Sequence, residues 1–318
     1  MSNRYIRTRS KKSNQPSEAT NTNTSKNQKA SRVLIEGFEY NRTERNDFET
    51  INIDKYTGPK SDDHVTWIRV YGLHEPSTLT LLASKFNVHN LAINDILDTD
   101  QDPKISDFYD FLFVVLKKLS FNTTTNQIDQ EHTSLVIKEK LVIIFQEKND
   151  NFFDSIRERI QNGDEKLQRK GTDYLAYILM DAIVNDYHTV LEEFGDRLLS
   201  LEESLLESPS SSSIEEIHYV KKEVTVAQRL SIATLNVTED LQKAELMSKS
   251  KGMNDYLKNL NDHVSQFCDT LNTMLTTVSG LPDLYMSSMS AKMEETMKIL
   301  TMIGTAIVLF ETYISFFQ

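Results

Sequence analysis

From Asn254 to the final residue, Gln318, the chain offers no loop signal, and a helix of that length, about 60 residues and about 90 Å at 1.5 Å per residue, exceeds what a globular domain can cover. Its first part carries one apolar stripe, with Tyr256 or Leu257 followed by Leu260, Val264, Phe267, Leu271, Met274, Val278 and Leu281 at steps of three and four. The last part, "ILTMIGTAIVLFETYISFFQ" from Ile299 to Gln318, is 20 residues with one charge, Glu311, and roughly 20 apolar residues span the hydrocarbon of a bilayer. Such a rod is a coiled coil, a membrane anchor, or both in succession. A buried core helix is the rival reading: the uninterrupted apolar run ends at Phe310, and Glu311 at depth would cost roughly 2.5–3.5 kcal/mol.

The rest of the chain supplies the body that this rod carries. Between Val65 and Phe145, "VTWIRVYGL", "FLFVVLKKLSF", "HTSLVIKEK" and "LVIIFQEK" are short and strand-like, and "STLTLLASKFNVHNLAINDILD" between the first two has helical spacing, which predicts an α/β domain. After Gly171 the period changes: Leu175, Leu179, Ile183, Tyr187, Val190, Phe194, Leu198, Leu201 and Leu205 predict a long amphipathic helix. "ESPSSSS" breaks it, and Ile214, Ile217, Val224, Ala227 and Leu230 begin a second helix expected to fold back antiparallel. The expected divisions are a disordered polar and basic tail at 1–32, an α/β domain at 33–170, antiparallel long helices at 171–250, a stalk helix at 251–298 and a transmembrane helix at 299–318.

Charge and composition exclude several classes. The net charge is −12 although residues 1–32 are basic, so the body is more acidic than the total; an acidic body repels phosphates and concentrates cations, and nucleic acid is not an expected partner. The one cysteine, Cys268, rules out an internal disulfide and sits in the apolar pattern "HVSQFCDTL", where a packed thiol is expected. The seven histidines show no metal-ligand spacing, the 9 glycines form no phosphate loop, and the chain reads as a non-enzyme.

Longer strings carry a resemblance. "WIRVYGLHEPSTLTLLASKFNVHNLAINDILDTDQDPKISDFYDFLFVVLK", "LVIIFQEKNDNFFDSIRERI", "DYLAYILMDAIVNDYHTVLEEFGDRL" and "VSGLPDLYMSSMSAKMEETMKILTMIGTA" closely resemble the CorA family of divalent-cation channels, over about Val65 to Ile307. The resemblance implies a homopentameric Mg2+ channel, with Co2+ also passing. It implies an α/β/α cytosolic funnel, a stalk, membrane lipid around the spans, and a place in the cell membrane with the bulk of the chain cytoplasmic. It further implies passive Mg2+ uptake, controlled by cytosolic Mg2+ acting as a regulatory ion. In that family a Gly-Met-Asn tripeptide sits at the outer end of the first span. The copy here, Gly252-Met253-Asn254, lies about 47 residues before the apolar segment among Lys249, Lys251, Asp255 and Lys258, and is read as the start of a cytosolic helix. After "ILTMIGTA" the sequence continues "IVLFETYISFFQ" where the family pattern runs on to Gly-Met-Asn and a second span. A C-terminally shortened chain is therefore expected, and with it the alternative of a non-conducting or regulatory subunit; a Zn2+ transporter of the same superfamily is the other alternative.

Particular residues follow. The resemblance places a regulatory cation between Asp95, in "NLAINDILD", and the neighbouring subunit's stalk, where Asp262 matches an acid and Asn259 stands at a position often acidic, losing one charge while keeping an oxygen acceptor. "DTDQDP" imitates an EF-hand opening with Asp98, Asp100 and Asp102, but Pro103 replaces the glycine and Tyr109 the bidentate glutamate, so calcium binding there is not expected. On the long helix Asp283, Ser290, Glu294, Met297, Leu300, Gly304 and Val308 share one face. Around an axis they would form rings, the acids concentrating cations and Met297 with Leu300 making an apolar gate. A Met/Leu stripe packed on a neighbour is the plain alternative. Pro282 removes the helix bond to the Val278 carbonyl, and with Gly280 beside it a kink is expected.

Overall fold

The computed structural model describes residues 33–50, 63–122, 124–125 and 127–316; the expected disordered tail at 1–32 lies outside them. Seven strands form one sheet: β1 (Leu34–Tyr40), β2 (Arg45–Thr50), β3 (Val65–Tyr71), β4 (Lys104–Asp107), β5 (Leu112–Asn122), β6 (Gln127–Ile137) and β7 (Leu141–Gln146). Their order is β2-β1-β3-β7-β6-β5-β4, with β3 and β7 parallel and every other neighbour antiparallel.

Both faces of this sheet are covered, which explains why "LFVVL" in β5 is a continuous apolar run and not an alternating one. The two-residue period divides it. Phe113 and Val115 join Ile68, Val70, Val136, Ile143 and Phe145 under α1 (Pro76–Lys85) and α2 (Asn90–Leu97), which contribute Leu79, Leu82, Ile93 and Ile96. Leu112, Val114 and Leu116 join Trp67, Leu135, Ile137, Val142 and Ile144 on the opposite face, in one cluster with α3 (Asp154–Gln161), α4 (Glu165–Arg169) and α5 (Thr172–Glu207). The layers are thus α/β/α, as expected.

Every member of the stripe from Leu175 to Leu205 is buried along α5. The helix stops at Glu207 because Pro209 cannot continue it, and α6 (Ser211–Leu241) restarts at once, Ser210 and Ser213 capping each other reciprocally. A 3-10 turn at Glu245–Met247 leads to α7 (Met253–Phe316), whose 64 residues make a rod of about 96 Å that runs through Pro282. Gly252 precedes α7 with φ +76°, a left-handed conformation that glycine adopts without strain, and the Met253 amide donates to the Ser250 carbonyl. The entry turn is fixed by buried Asp173 at the start of α5, whose carboxylate accepts from the Ser250 amide at 2.6 Å and the Ser250 hydroxyl at 2.8 Å. Leu257, Leu260, Val264, Phe267, Cys268, Leu271, Val278 and Leu281 are buried, with Phe267 against Tyr187 of α5 at a 4.9 Å ring separation.

Two strands precede the first strand-like string. β1 and β2 carry charges in mid-strand, Glu36 and Glu39 among them, so no alternation of apolar and polar residues announces them. Their pairing is held from elsewhere: Arg69 of β3, buried, reaches Glu36 at 3.4 Å and Asp154 at 2.8 Å.

Candidate metal centre and membrane helix

The residues expected to bind a regulatory ion fall on two surfaces. In α2, Ala92, Ile93 and Ile96 point into the core, leaving Leu91 and Asp95 on the outer side. The Asp95 carboxylate pairs with the Lys104 ammonium of β4 at 2.7 Å. The connecting loop is tied down on three sides: Gln101 donates to Asp98 at 2.8 Å, Arg229 of α6 lies 3.7 Å from Asp102, and the buried Lys117 ammonium donates to the Thr99 carbonyl. The Asp98–Asp102 acids therefore serve as turn and tether, and among the described residues they form no metal-binding cluster.

Beneath this loop lies a polar patch that sequence reasoning did not find. Cross-strand register puts Lys117 opposite His132, and Glu147 accepts the His132 backbone N–H at 2.6 Å. Thr99, Asp100, Lys117, Gln130, Glu147 and Arg229 line a cavity of about 470 Å³ at this edge. Burial lowers the Lys117 pKa and raises that of Glu147, each environment disfavouring the charged form. His132 is fully buried, its ring nitrogens have no hydrogen-bond partner among the described residues, and burial, reinforced by Lys117, pushes its pKa down to about 4.

Asn259 and Asp262 stand on the exposed side of α7, Asn259 in hydrogen-bond reach of the Tyr177 hydroxyl. Since α2 packs on one face of the sheet and α7 lies on the other side, against α5 and α6, one chain does not bring Asp95 to them; a second copy would have to. Next to Asn259 the fold adds a pair that had not been expected. Asp181 of α5 and His263 of α7 approach to 3.6 Å, beyond a hydrogen bond, and both facing atoms, Oδ1 and Nδ1, lack a partner among the described residues. Asn185 holds the other Asp181 oxygen at 3.0 Å, and burial raises the Asp181 pKa. A carboxylate oxygen and an imidazole nitrogen at that separation suit two ligands of one divalent ion. The signal in sequence was an acid inside the apolar run "LAYILMDAIV".

Mg2+ needs only one or two carboxylates and retains its waters, so the partly exposed Asp95 and the exposed Asp262 suit it chemically.

Leu284 and Tyr285 are the last residues of α7 packed on the core, and from Ala291 to Phe316 every residue is exposed. This part is long and apolar enough to cross a membrane. Asp283, Ser290, Glu294, Met297, Leu300, Gly304 and Val308 all lie on the exposed length, with Glu294 paired to Lys298 at 2.8 Å. The hydroxyls of Ser290, Thr296, Thr301, Thr305 and Thr312 donate to carbonyls four residues earlier, so their polar atoms are satisfied within the helix, as a lipid-facing segment requires.

Three comparisons bear on this arrangement. Residues 62–309 match the sequence profile of the family described as CorA-like Mg2+ transporter protein. The cobalt/magnesium transport protein CorA of Thermotoga maritima is 32% identical over 85% of this chain and 77% of its own length. Among solved structures, the complete CorA magnesium transporter of Methanocaldococcus jannaschii superposes with a TM-score of 0.66 at 20% identity, covering 85% of this chain and 82% of that one. The soluble domain of the same transporter gives 0.64 at 19% identity, covering 79% of this chain and 96% of the domain.

Proposed function

Because the chain belongs to the family of CorA-like Mg2+ transporters, we propose that it conducts Mg2+, and Co2+ with it, passively across a membrane as a homopentamer whose α/β/α part faces the cytosol. The observation that carries this reading is α7: one continuous helix, packed on α5 and α6 as far as Leu281, exposed throughout from Ala291 onward and apolar from Ile299 apart from Glu311. A helix with such an end is complete only when lipid or identical helices cover it.

Around a shared axis Asp283 and Glu294 would form acidic rings that raise the local cation concentration. Met297 and Leu300 would narrow the path and close it by excluding water, while Gly304 and Val308 continue the same face. Regulation would come from the cytosolic part: Asp95 of one copy and Asn259 with Asp262 of the next would share a hydrated Mg2+. Filling these sites neutralises acids at the seam between copies and holds the bundle closed; emptying them lets the copies repel one another and the gate open.

The test is ion entry into lipid vesicles carrying the purified chain, followed with ion-sensitive dyes for Mg2+, Co2+ and Zn2+ separately. Entry of Mg2+ and Co2+ that falls as Mg2+ on the cytosolic-domain side rises is the expected result. No entry of any ion, or entry of Zn2+ alone, would defeat the proposal.

A further inference from the structure

Asp95 has a cationic partner within its own chain. The Lys104 ammonium sits 2.7 Å from its carboxylate, and the two side chains are 34% and 20% exposed, so solvent screens the pair only in part. Neither end is free to wander. Asp95 is on a helix anchored by Ala92, Ile93 and Ile96, and Lys104 is the first residue of β4, paired in register with Val115. The loop between them is tethered by Gln101, Arg229 and Lys117. Under the pair lies His132, buried, with neither ring nitrogen hydrogen-bonded among the described residues.

We propose that Lys104 is a built-in competitor for the divalent ion at Asp95: its ammonium occupies the carboxylate while the ion is absent and must be displaced, or tolerated at close range, when the ion binds. This rests on the reading of Asp95 as a regulatory ligand. A single positive charge that neutralises the carboxylate keeps the empty site from repelling its surroundings. The same charge opposes an arriving dication by Coulomb repulsion over a few ångströms. Lys104 thereby sets the cytosolic concentration at which the site fills, holding it above that of a bare carboxylate pair. A methylene stem with three mobile donors can swing aside, so the competition is reversible. At separations of about 5 Å in a water-like medium, removing one positive charge from beside a dication lowers its half-saturating concentration roughly tenfold.

The experiment titrates MgCl2 at constant ionic strength into the full-length chain in detergent and reads protection from chymotrypsin, which does not cut at lysine. Lys104→Met should bring the protection midpoint down roughly tenfold, and Lys104→Arg, which keeps the charge, should stay within about twofold of the parent. Asp95→Asn should abolish the midpoint. An unchanged or raised midpoint in Lys104→Met, with Asp95→Asn still inactive, would overturn the proposal and leave Lys104 as a residue that merely positions Asp95. Parent-like protection in Asp95→Asn would instead defeat the regulatory reading, and the competitor proposal with it. Trp67 fluorescence confirms folding of each variant, and Lys104→Gln replaces Lys104→Met should the latter fail to fold.

Discussion

Acidification should destabilise this protein through one histidine. In the folded chain His132 is buried under the Asp98–Asp102 loop, facing Lys117 of β5, Asp95 and Asp98 at and beyond the end of α2, and Lys104 of β4, and its pKa falls to about 4 from an ordinary 6.5. A depressed histidine pKa means that the unfolded chain binds the proton more readily, so stability is complete above pH 6.5 and is lost as pH falls towards 4. With those two values the loss from His132 alone is about 2 kcal/mol between pH 7.5 and pH 5, approaching about 3 kcal/mol once both states are protonated. Urea unfolding in mild detergent, followed by the fluorescence of Trp67, the one tryptophan and itself buried in the sheet, measures this directly. Other buried groups respond to acid as well: burial raises the pKa of Asp181, Asp186 and Glu147, which works in the opposite direction. The informative quantity is therefore the difference between parent and His132→Leu. The variant should lose about 2 kcal/mol less than the parent over the same interval. Equal losses would refute the argument that desolvation of this imidazole controls acid stability.

Three further outcomes are expected. Phe267→Ala removes the ring packed on Tyr187 in the α5–α7 seam and should cost about 3–5 kcal/mol in the same unfolding assay. Gly252→Ala meets no neighbouring atom but forces an alanine to φ +76°, so the loss, about 1–2 kcal/mol, should come from backbone strain alone and appear as a lower urea midpoint. Leu300→Ser, placing a hydroxyl in the proposed apolar constriction, should leave unfolding unchanged and let Mg2+ enter vesicles even when Mg2+ is high on the cytosolic-domain side.

The helical half of the molecule was legible because its signal is local. Every apolar position assigned to α5 is buried, and the α7 stripe from Leu257 to Leu281 recurs in the structure with Met274 partly covered. The sheet was legible only where both faces are apolar. β1 was not, because Glu36 is held in mid-strand by Arg69, a partner 33 residues away that no period within the strand can announce. The site divides in the same manner. Asp95 stood out through its surrounding string, but its partner Lys104 is set by the path of a loop, and Asp181 meets His263 only because α5 and α7 lie side by side. Pairs made by tertiary packing leave little trace in sequence beyond a charge in an otherwise apolar run.

The unbroken length of α7 also has a mechanical meaning. From Asp262 to Lys298 the rod spans about 54 Å at 1.5 Å per residue. A tilt of about 5° at the lower end sweeps the upper end sideways by about 5 Å, comparable to one helical turn. A small displacement at the lower end is thereby magnified at the far end, and Pro282 with Gly280, which lie between the two, are the place along the rod where that motion would be absorbed.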